Sequence, residues 1–569
     1  MVNLPMPYLA AGALAFVSLV SSPAARAGQA EPATAPGRFS VRAFGATGDG
    51  KHLDTAGIAS AIKAAAAAGG GVVVFPPGTY LSGTFELLTN VSLDLEAGAV
   101  IQASANLADY GSLADYGFEK GWGLNSSGEG DKVGLIVARG AENIAIFGQG
   151  AIDGNGGEFF DFDTPHIGPD FDARFTRDER AFAESMHKTA GGPVQVKPAG
   201  RPGTLIILSR SRNIAIRDVT LRNAPNWTLH LASSSQAVVT GIHIANDLRI
   251  PNNDGVDCIG CRNVHFSDCD ISAGDDDFAF ASSRDVTVVN SSLTSNSSGI
   301  RLEDTRFATF SDLTIHANRG IGIYERGGGV TSGILFSNLV IETTLLDGHW
   351  WGKGEPIYIV AGGAGNASQG VRNVRFSNIL ADGQGGVVIY GTKDSPVRDI
   401  EFDRVRLRIH APRESVSAAV GGNFDLRWTA TSFAEAVFAH DIPAVYCRYL
   451  SGWRVRGLEI DWDKNLPTYF TNGILCEDFE GIDIDDFSGR QAPESSSAVI
   501  ALRRGGGISV RNSSALAGAS TFLSVSEVSG KGLFVDNDIA AAARAFDPNE
   551  AGFTLWGNRL PAPPAPKPR

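Results

Sequence analysis

Seven aspartates crowd one short window of the chain: Asp254, Asp257, Asp268, Asp270, Asp275, Asp276 and Asp277. The run PNNDGVD spans Pro251 to Asp257, and GDDD spans Gly274 to Asp277. Asp276 follows Asp254 by 22 residues. If the chain repeats at that interval in stacked strands, about 4.8 Å apart, the two carboxyls are forced side by side. Asp275 joins them if the corner at Gly274 turns its side chain to the same face. Carboxylates that close repel, which raises at least one pKa toward neutrality. One protonated acid beside one ionised base is what cleavage of a glycosidic bond requires. A calcium site or a solvated acidic turn accounts for the cluster equally well.

A repeat of that length is present. Asn or Asp opens an alternating apolar run, followed by a polar turn and a second short apolar run. It reads NVSLDLEAGAVI from Asn90, NIAIFGQGAI from Asn143, NIAIRDVTL from Asn213 and NVHFSDCDI from Asn263. Copies starting at Asn263, Asp285 and Phe307 are 22 residues apart. That interval is too short for a helix–turn–helix unit of about 34 residues, and a propeller blade needs about 40. It fits two or three short strands with turns. Stacked in register, such units form an all-β, right-handed parallel β-helix, a solenoid with one continuous apolar column. Asn at the fixed turn tolerates left-handed backbone.

The organisation expected is a signal peptide over 1–27, then an N-terminal cap and first coils over 28–104. A coil with long inserted loops fills 105–200, and the main β-helix, carrying the site, fills 201–545 with an irregular insertion at 411–445. A tail over 546–569 ends in PAPPAPKPR, expected to be disordered. Asp54 and Thr55 begin a capping helix through IASAIKAAAAA that Gly69–Gly71 ends. The apolar run Leu9–Val20, before Ala25-Arg26-Ala27, marks a secreted or periplasmic protein cleaved near Ala27, with no membrane segment in the mature form.

The 569 residues carry a net charge of −14, which argues against a nucleic-acid partner. Ample apolar content, 43%, excludes wholesale disorder. Five cysteines are no disulfide framework. Cys258-x-x-Cys261 lacks a second ligand pair, so buried thiols are expected and no metal or cofactor. A monomer is expected.

Segments 39–104 and 140–282 resemble glycoside hydrolase family 28, the polygalacturonase family. FGATGDGKHLDTAGIASAIKAAAAAGGGVVVFPPGTYLSGTFEL is similar to that family's cap and first coil. NIAIFGQGAIDGNG, RPGTLIIL and NAPNWTLHL resemble the segments that follow, NNDGVD its Asn-Thr-Asp, and GDDD its Gly-Asp-Asp. The resemblance implies that Asp275 is the general acid. Asp254 and Asp276 would activate the attacking water, with inversion at the anomeric carbon. It implies that Asn252 positions Asp254 or a sugar hydroxyl. Trp227 and His230, about one coil before Asp254, would floor the groove, although for His230 a structural role fits better than a substrate contact. The substrate would be a polysaccharide or oligosaccharide.

The likeness then breaks. Where the family has Gly-His-Gly, this chain reads Asn296-Ser297-Ser298-Gly299. Where it has Arg-Ile-Lys, cations expected to grip a uronate, a glycine and Tyr324 stand, with Arg301 or Arg326 as substitutes. A neutral or atypical sugar, rather than plain polygalacturonate, is therefore expected at the scissile subsite. In DGHWWGKGEPIYI, Trp350 and Trp351 suit a sugar-stacking wall, a Trp350 packed under a loop fits as well, and Glu355 reads as structural as often as catalytic. Two alternatives stay open: a polysaccharide lyase on the same fold, and a non-catalytic carbohydrate-binding β-helix.

Overall fold

The computed structural model describes residues 37–119, 130–166, 172–188, 191–326, 328–362, 370–426, 436–547 and 552–562. The expected signal peptide and the end of the tail lie outside them. From Gly37 onward the described chain winds as a right-handed parallel β-helix whose coils join in one sheet of 37 strands. The coil Val256–Ile259, Arg262–Ser267 and Asp270–Ala273 shows the plan. Each of its strands pairs in parallel with its counterpart one coil earlier and one coil later. Farther on, strands Arg284–Glu303 and Arg306–Glu325 pass their corners unbroken.

Alternation decides which side chains fill the column. Along Val91–Leu95 every second residue is buried, and the same rhythm runs through Val330–Thr343 and Val397–Ile409. The inward row includes a ladder of phenylalanines. Phe310, Phe336 and Phe376 stack with centroids 5.0 Å apart at each step, and Phe402 closes on Phe376 edge-on at 5.3 Å. Cys447 and Cys476 are register partners inside the column, and all five cysteines are buried.

The corners repeat as strictly as the core. Asn143, Asn213, Asn263, Asp285 and Asn373 all hold φ between 54° and 58° at one corner. Phe307 occupies the same corner at φ 55°, which explains an exposed phenylalanine; the Arg284 guanidinium covers its ring. Asparagine suits this conformation and also bridges coils: Asn143 donates to Asn90 at 2.7 Å, and Asn213 to Asn143 at 2.6 Å.

At the N-terminal end helix α1, Thr55–Ala67, packs against the first strands. The two segments read as irregular insertions form a joint lobe. In the first, Phe160–Pro165 pairs antiparallel with Val194–Val196, and helix α2 spans Glu179–Met186. The second carries helix α3, Glu414–Val420, and a small antiparallel pair, Asn423–Asp425 with Val437–Ala439. Phe182 of α2 shares a satellite core with Val416, Val420, Val437 and Leu345. No described helix is long and apolar enough to cross a membrane.

Because each coil is held only by its neighbours, an internal cavity should be felt cooperatively. Phe336→Ala, in the middle of the ring ladder, should cost about 3–5 kcal/mol in urea unfolding. The exposed Leu380→Ala should cost less than about 0.5 kcal/mol.

Candidate active site

Register puts six residues in line on consecutive coils, just ahead of one strand row: Trp227, Asp254, Asp276, Ser298, Arg319 and Glu355. Asp254 and Asp276 are thus neighbours because Val256 pairs with Phe278. Asp275 is brought in by the corner before it. A Cβ on Gly274 would stand 2.4 Å from the Ile250 carbonyl oxygen, so only glycine makes this turn. Its N–H donates to Asn253 Oδ1 at 2.6 Å. One oxygen from each of Asp254, Asp275 and Asp276 lies within 4.8 Å of the others.

Asn252 serves Asp275 rather than Asp254. Its Nδ2 donates to Asp275 Oδ2 at 3.2 Å, while its Oδ1 accepts from Arg201 at 3.2 Å. Arg201, the first residue of RPGTLIIL, is buried and also ties down the carbonyls of Pro225 and Pro251.

The three acids differ in surroundings. All are buried. Burial, then the Asp276 charge, pushes the Asp275 carboxyl up to about 7. Burial, then the charges of Asp257, Asp275 and Asp276, holds Asp254 well above the usual carboxylate range, and its Oδ1 has no hydrogen-bond partner. Asp276 collects donors: Ser297 Oγ and the Ser298 N–H both reach its Oδ1 at 3.2 Å, and Arg301 Nε lies 3.7 Å from its Oδ2. Such a cluster can transfer a proton and hold a water. Among the described residues it is also the one acidic group close enough to hold a cation.

The missing Arg-x-Lys pair has a physical counterpart. A Cβ on Gly322 would meet the Tyr324 ring at 2.6 Å and its hydroxyl at 2.8 Å. The tyrosine lies across the place where a side chain at 322 would emerge. Its hydroxyl accepts from Arg319 and lies 3.4 Å from Ser298 Oγ. Arg319 is itself buried, forked onto Glu355 at 3.1 and 3.2 Å with its guanidinium 3.7 Å over the Tyr358 ring. Sequence reading missed Arg319; the signal was its place one repeat beyond Ser298. Glu355, left undecided by sequence, is its partner.

Other expected residues fall differently. His230 does not floor an open groove: it is fully buried, its ring edge-on to Trp227 at 5.1 Å, and burial pushes its pKa down to about 3. Trp227 is also buried but borders a cavity beside the acids, as do Arg301 and Arg326. Trp350 is no stacking wall. It is 2% exposed, and its Nε1 donates to the Gly191 carbonyl at 2.7 Å, so it fastens the loop to the lobe. Trp351 keeps partial exposure beside His349. Tyr324 is buried, as described.

Comparisons with known proteins agree with this fold. Residues 204–370 match the family described as right handed beta helix region, and residues 38–125 match rhamnogalacturonase A/epimerase, pectate lyase-like. A probable polygalacturonase of Vitis vinifera is 29% identical over 246 residues, 42% of this chain and 44% of that protein. An exo-poly-alpha-D-galacturonosidase of Dickeya chrysanthemi is 27% identical over 260 residues, 43% of this chain and 42% of that protein. The chain thus spans less than half the length of these curated relatives. The solved family 28 exopolygalacturonase of Yersinia enterocolitica superposes with TM-score 0.52 at 18% identity, over 79% of each chain. Fold and matches together define a protein of the right-handed parallel β-helix class. Within that class the chain is similar to polygalacturonases, at 29% identity or less over less than half of its length.

Two outcomes follow from the packing. Gly322→Ala should cost about 1–3 kcal/mol by driving into the Tyr324 ring. Tyr324→Ala in the same chain should remove most of that cost, read as a coupling energy in a double-mutant cycle. For Asp275, the folded pKa of about 7 exceeds the model-compound value of 3.8. The folded state therefore binds the proton more tightly, and stability falls as pH rises from about 4 to about 7. Asp275→Asn should match the wild type at pH 4 and exceed it at pH 8 by on the order of 1–4 kcal/mol, measured by urea midpoints.

Proposed function

We propose that this protein is an exported glycoside hydrolase that cleaves O-glycosidic bonds in a pectin-type or related glycan. The observation that carries the reading is the convergence of Asp254, Asp275 and Asp276, drawn from two adjacent coils. The polygalacturonases among its relatives support the substrate class.

In this mechanism Asp275 protonates the leaving oxygen. Its carboxyl, raised to about 7 by burial and by Asp276, still carries a proton in mildly acidic and near-neutral solution. Asn252 fixes its orientation. Asp276, receiving Ser297 and Ser298 and facing Arg301, is the base, and with Asp254 it holds the attacking water. Attack from the face opposite the leaving group inverts the anomeric carbon.

A second reading has its own support. Inverting pairs usually stand about 6.5–9.5 Å apart and retaining pairs about 5–5.5 Å. The nearest oxygens of the three acids lie within 4.8 Å of one another, close enough that direct attack by an aspartate through a covalent intermediate is the competing route. Proton NMR of the first anomer released separates the two: the inverted anomer supports the water mechanism, the retained anomer the covalent one.

Asp275→Asn should lower kcat by about 10²–10⁴-fold, with KM little changed. The wild-type kcat should fall as pH rises through about 7, the point at which Asp275 loses its proton. Products carrying the ultraviolet absorbance of a new double bond would replace hydrolysis by elimination. Full activity in Asp275→Asn would remove Asp275 from the mechanism, and no turnover of any glycan by the wild type would leave a binding protein only.

A further inference from the structure

One corner away from the acids, arginine recurs at a fixed register position. Arg262, Arg284, Arg306, Arg372 and Arg398 fill five of six consecutive rungs, with Ser332 as the gap between Arg306 and Arg372. All five are exposed. Rungs stand about 4.8 Å apart, so the backbone holds like charges side by side where they repel. The ladder has ends: Arg212, two rungs before Arg262, is taken by Glu142 at 2.6 Å, and Ser451 follows Arg398. Acids answer only part of it. Arg284 meets Asp285 at 3.0 Å, and Arg306 meets Asp304 at 3.4 Å. Among the described residues no carboxylate forms an ion pair with Arg262, Arg372 or Arg398. In a chain of net charge −14, a line of positive charge left open is the exception.

Phe307, next to Arg306, is a second and independent observation. On other coils its corner position is held by Asn263, Asp285 and Asn373, types that tolerate left-handed backbone. A phenylalanine at φ 55° is strained there, and it is still 60% exposed with the Arg284 guanidinium over its ring. Strain kept where packing gains little is a mark of function. The ring reaches toward the next coil, where a Cβ on Gly333 would stand 3.2 Å from it. An open groove crosses three consecutive coils at this point, lined by Phe307, Gly333, Asn373 and Arg375. It runs alongside the ladder, so an occupant that touches several arginines lies parallel to the solenoid axis.

Charge and shape together choose the occupant. The guanidinium fork matches a carboxylate, and an exposed aromatic ring suits the carbon face of a sugar. A chain of uronates offers both at every unit, and when extended it advances by about one rung per sugar. A nucleic-acid strand carries a phosphate about every 3.4 Å of helix axis, out of step with the rungs. We propose that this strip is a docking surface for an acidic polysaccharide, a polyuronate chain whose carboxylates engage the arginine ladder and whose sugar face rests on Phe307. Asp254 and Arg262, like Asp276 and Arg284, stand eight residues apart on shared coils, so the surface anchors a glycan one corner from the acids. It goes beyond the hydrolase reading and does not depend on it, because binding is measured without turnover.

Biolayer interferometry of the full-length Asp275→Asn protein on immobilised polygalacturonate tests it, with the fully methyl-esterified polymer and a single-stranded DNA as controls. The acid polymer should bind at least tenfold more tightly than either control. Adding Arg262→Gln, Arg372→Gln and Arg398→Gln together should weaken that binding at least tenfold, as should raising salt from about 0.05 M to about 0.5 M. Phe307→Asn should weaken it at least threefold while its urea midpoint is no lower than the parent's, because asparagine suits the corner. Circular dichroism of each variant, unchanged from the parent, confirms that the fold is kept. Equal binding of the ester or the DNA overturns the proposal, as does no binding of the acid polymer, or binding that either the triple variant or Phe307→Asn leaves intact. If the wild type hydrolyses no glycan while the triple variant still loses the polymer, the hydrolase reading falls and the surface stands. If it hydrolyses glycans while the triple variant binds unchanged, the surface falls alone.

Discussion

Backbone hydrogen bonds between successive coils set every important distance in this molecule. Parallel strands pair about 4.8 Å apart, and Val256 opposite Phe278 leaves Asp254 no position except beside Asp276. Neither residue moves away without breaking the ladder that holds the coil. Mutual repulsion and burial are therefore imposed on the acids by the main chain, and the raised pKa values of Asp254 and Asp275 are a consequence of register. The same ladder lines up Ser298, Arg319 and Glu355 beyond them, so that donors and charges follow the acids along one row.

Much of this was legible in the sequence because a solenoid writes its geometry into spacing. A 22-residue interval between Asp254 and Asp276 is a register statement once the repeat is seen. Recurrent Asn marks a corner, and the structure finds those asparagines left-handed. What spacing cannot convey is the direction of a side chain at an irregular corner. Asn252, expected to position Asp254 or a sugar hydroxyl, bonds Asp275 from a left-handed backbone at φ 56°. Trp350 looked like a sugar platform, yet its indole N–H is claimed by a carbonyl in a lobe more than a hundred residues away in sequence. Arg319 was overlooked because its partners, Glu355 and Tyr358, come from the next coil and lie some 40 residues on.

The insertions give the lobe a purpose in the fold. The outward row of the strand bearing Asp257 and Arg301 continues through Tyr358, Val388 and Tyr446, and all three are buried. Asp425 of the second insertion takes the Tyr358 hydroxyl on its carbonyl, and its carboxylate lies 4.0 Å from Arg319. The first insertion meets the second through α2 and α3 and grips the Trp350 loop. Beyond the acids, then, the sheet face is roofed, whereas the cavity beside them retains its volume.

The interlocked pair at 322 and 324 also constrains the routes by which this site changes over generations. A longer side chain at 322 is blocked while the tyrosine ring lies across it. Removing the ring first leaves Arg319 without its phenol acceptor. Any lineage gaining or losing a cation here must pass through one of two weakened intermediates, and the less damaging of them sets the order of steps. Two letters of sequence, one residue apart, thus behave as a single inherited character.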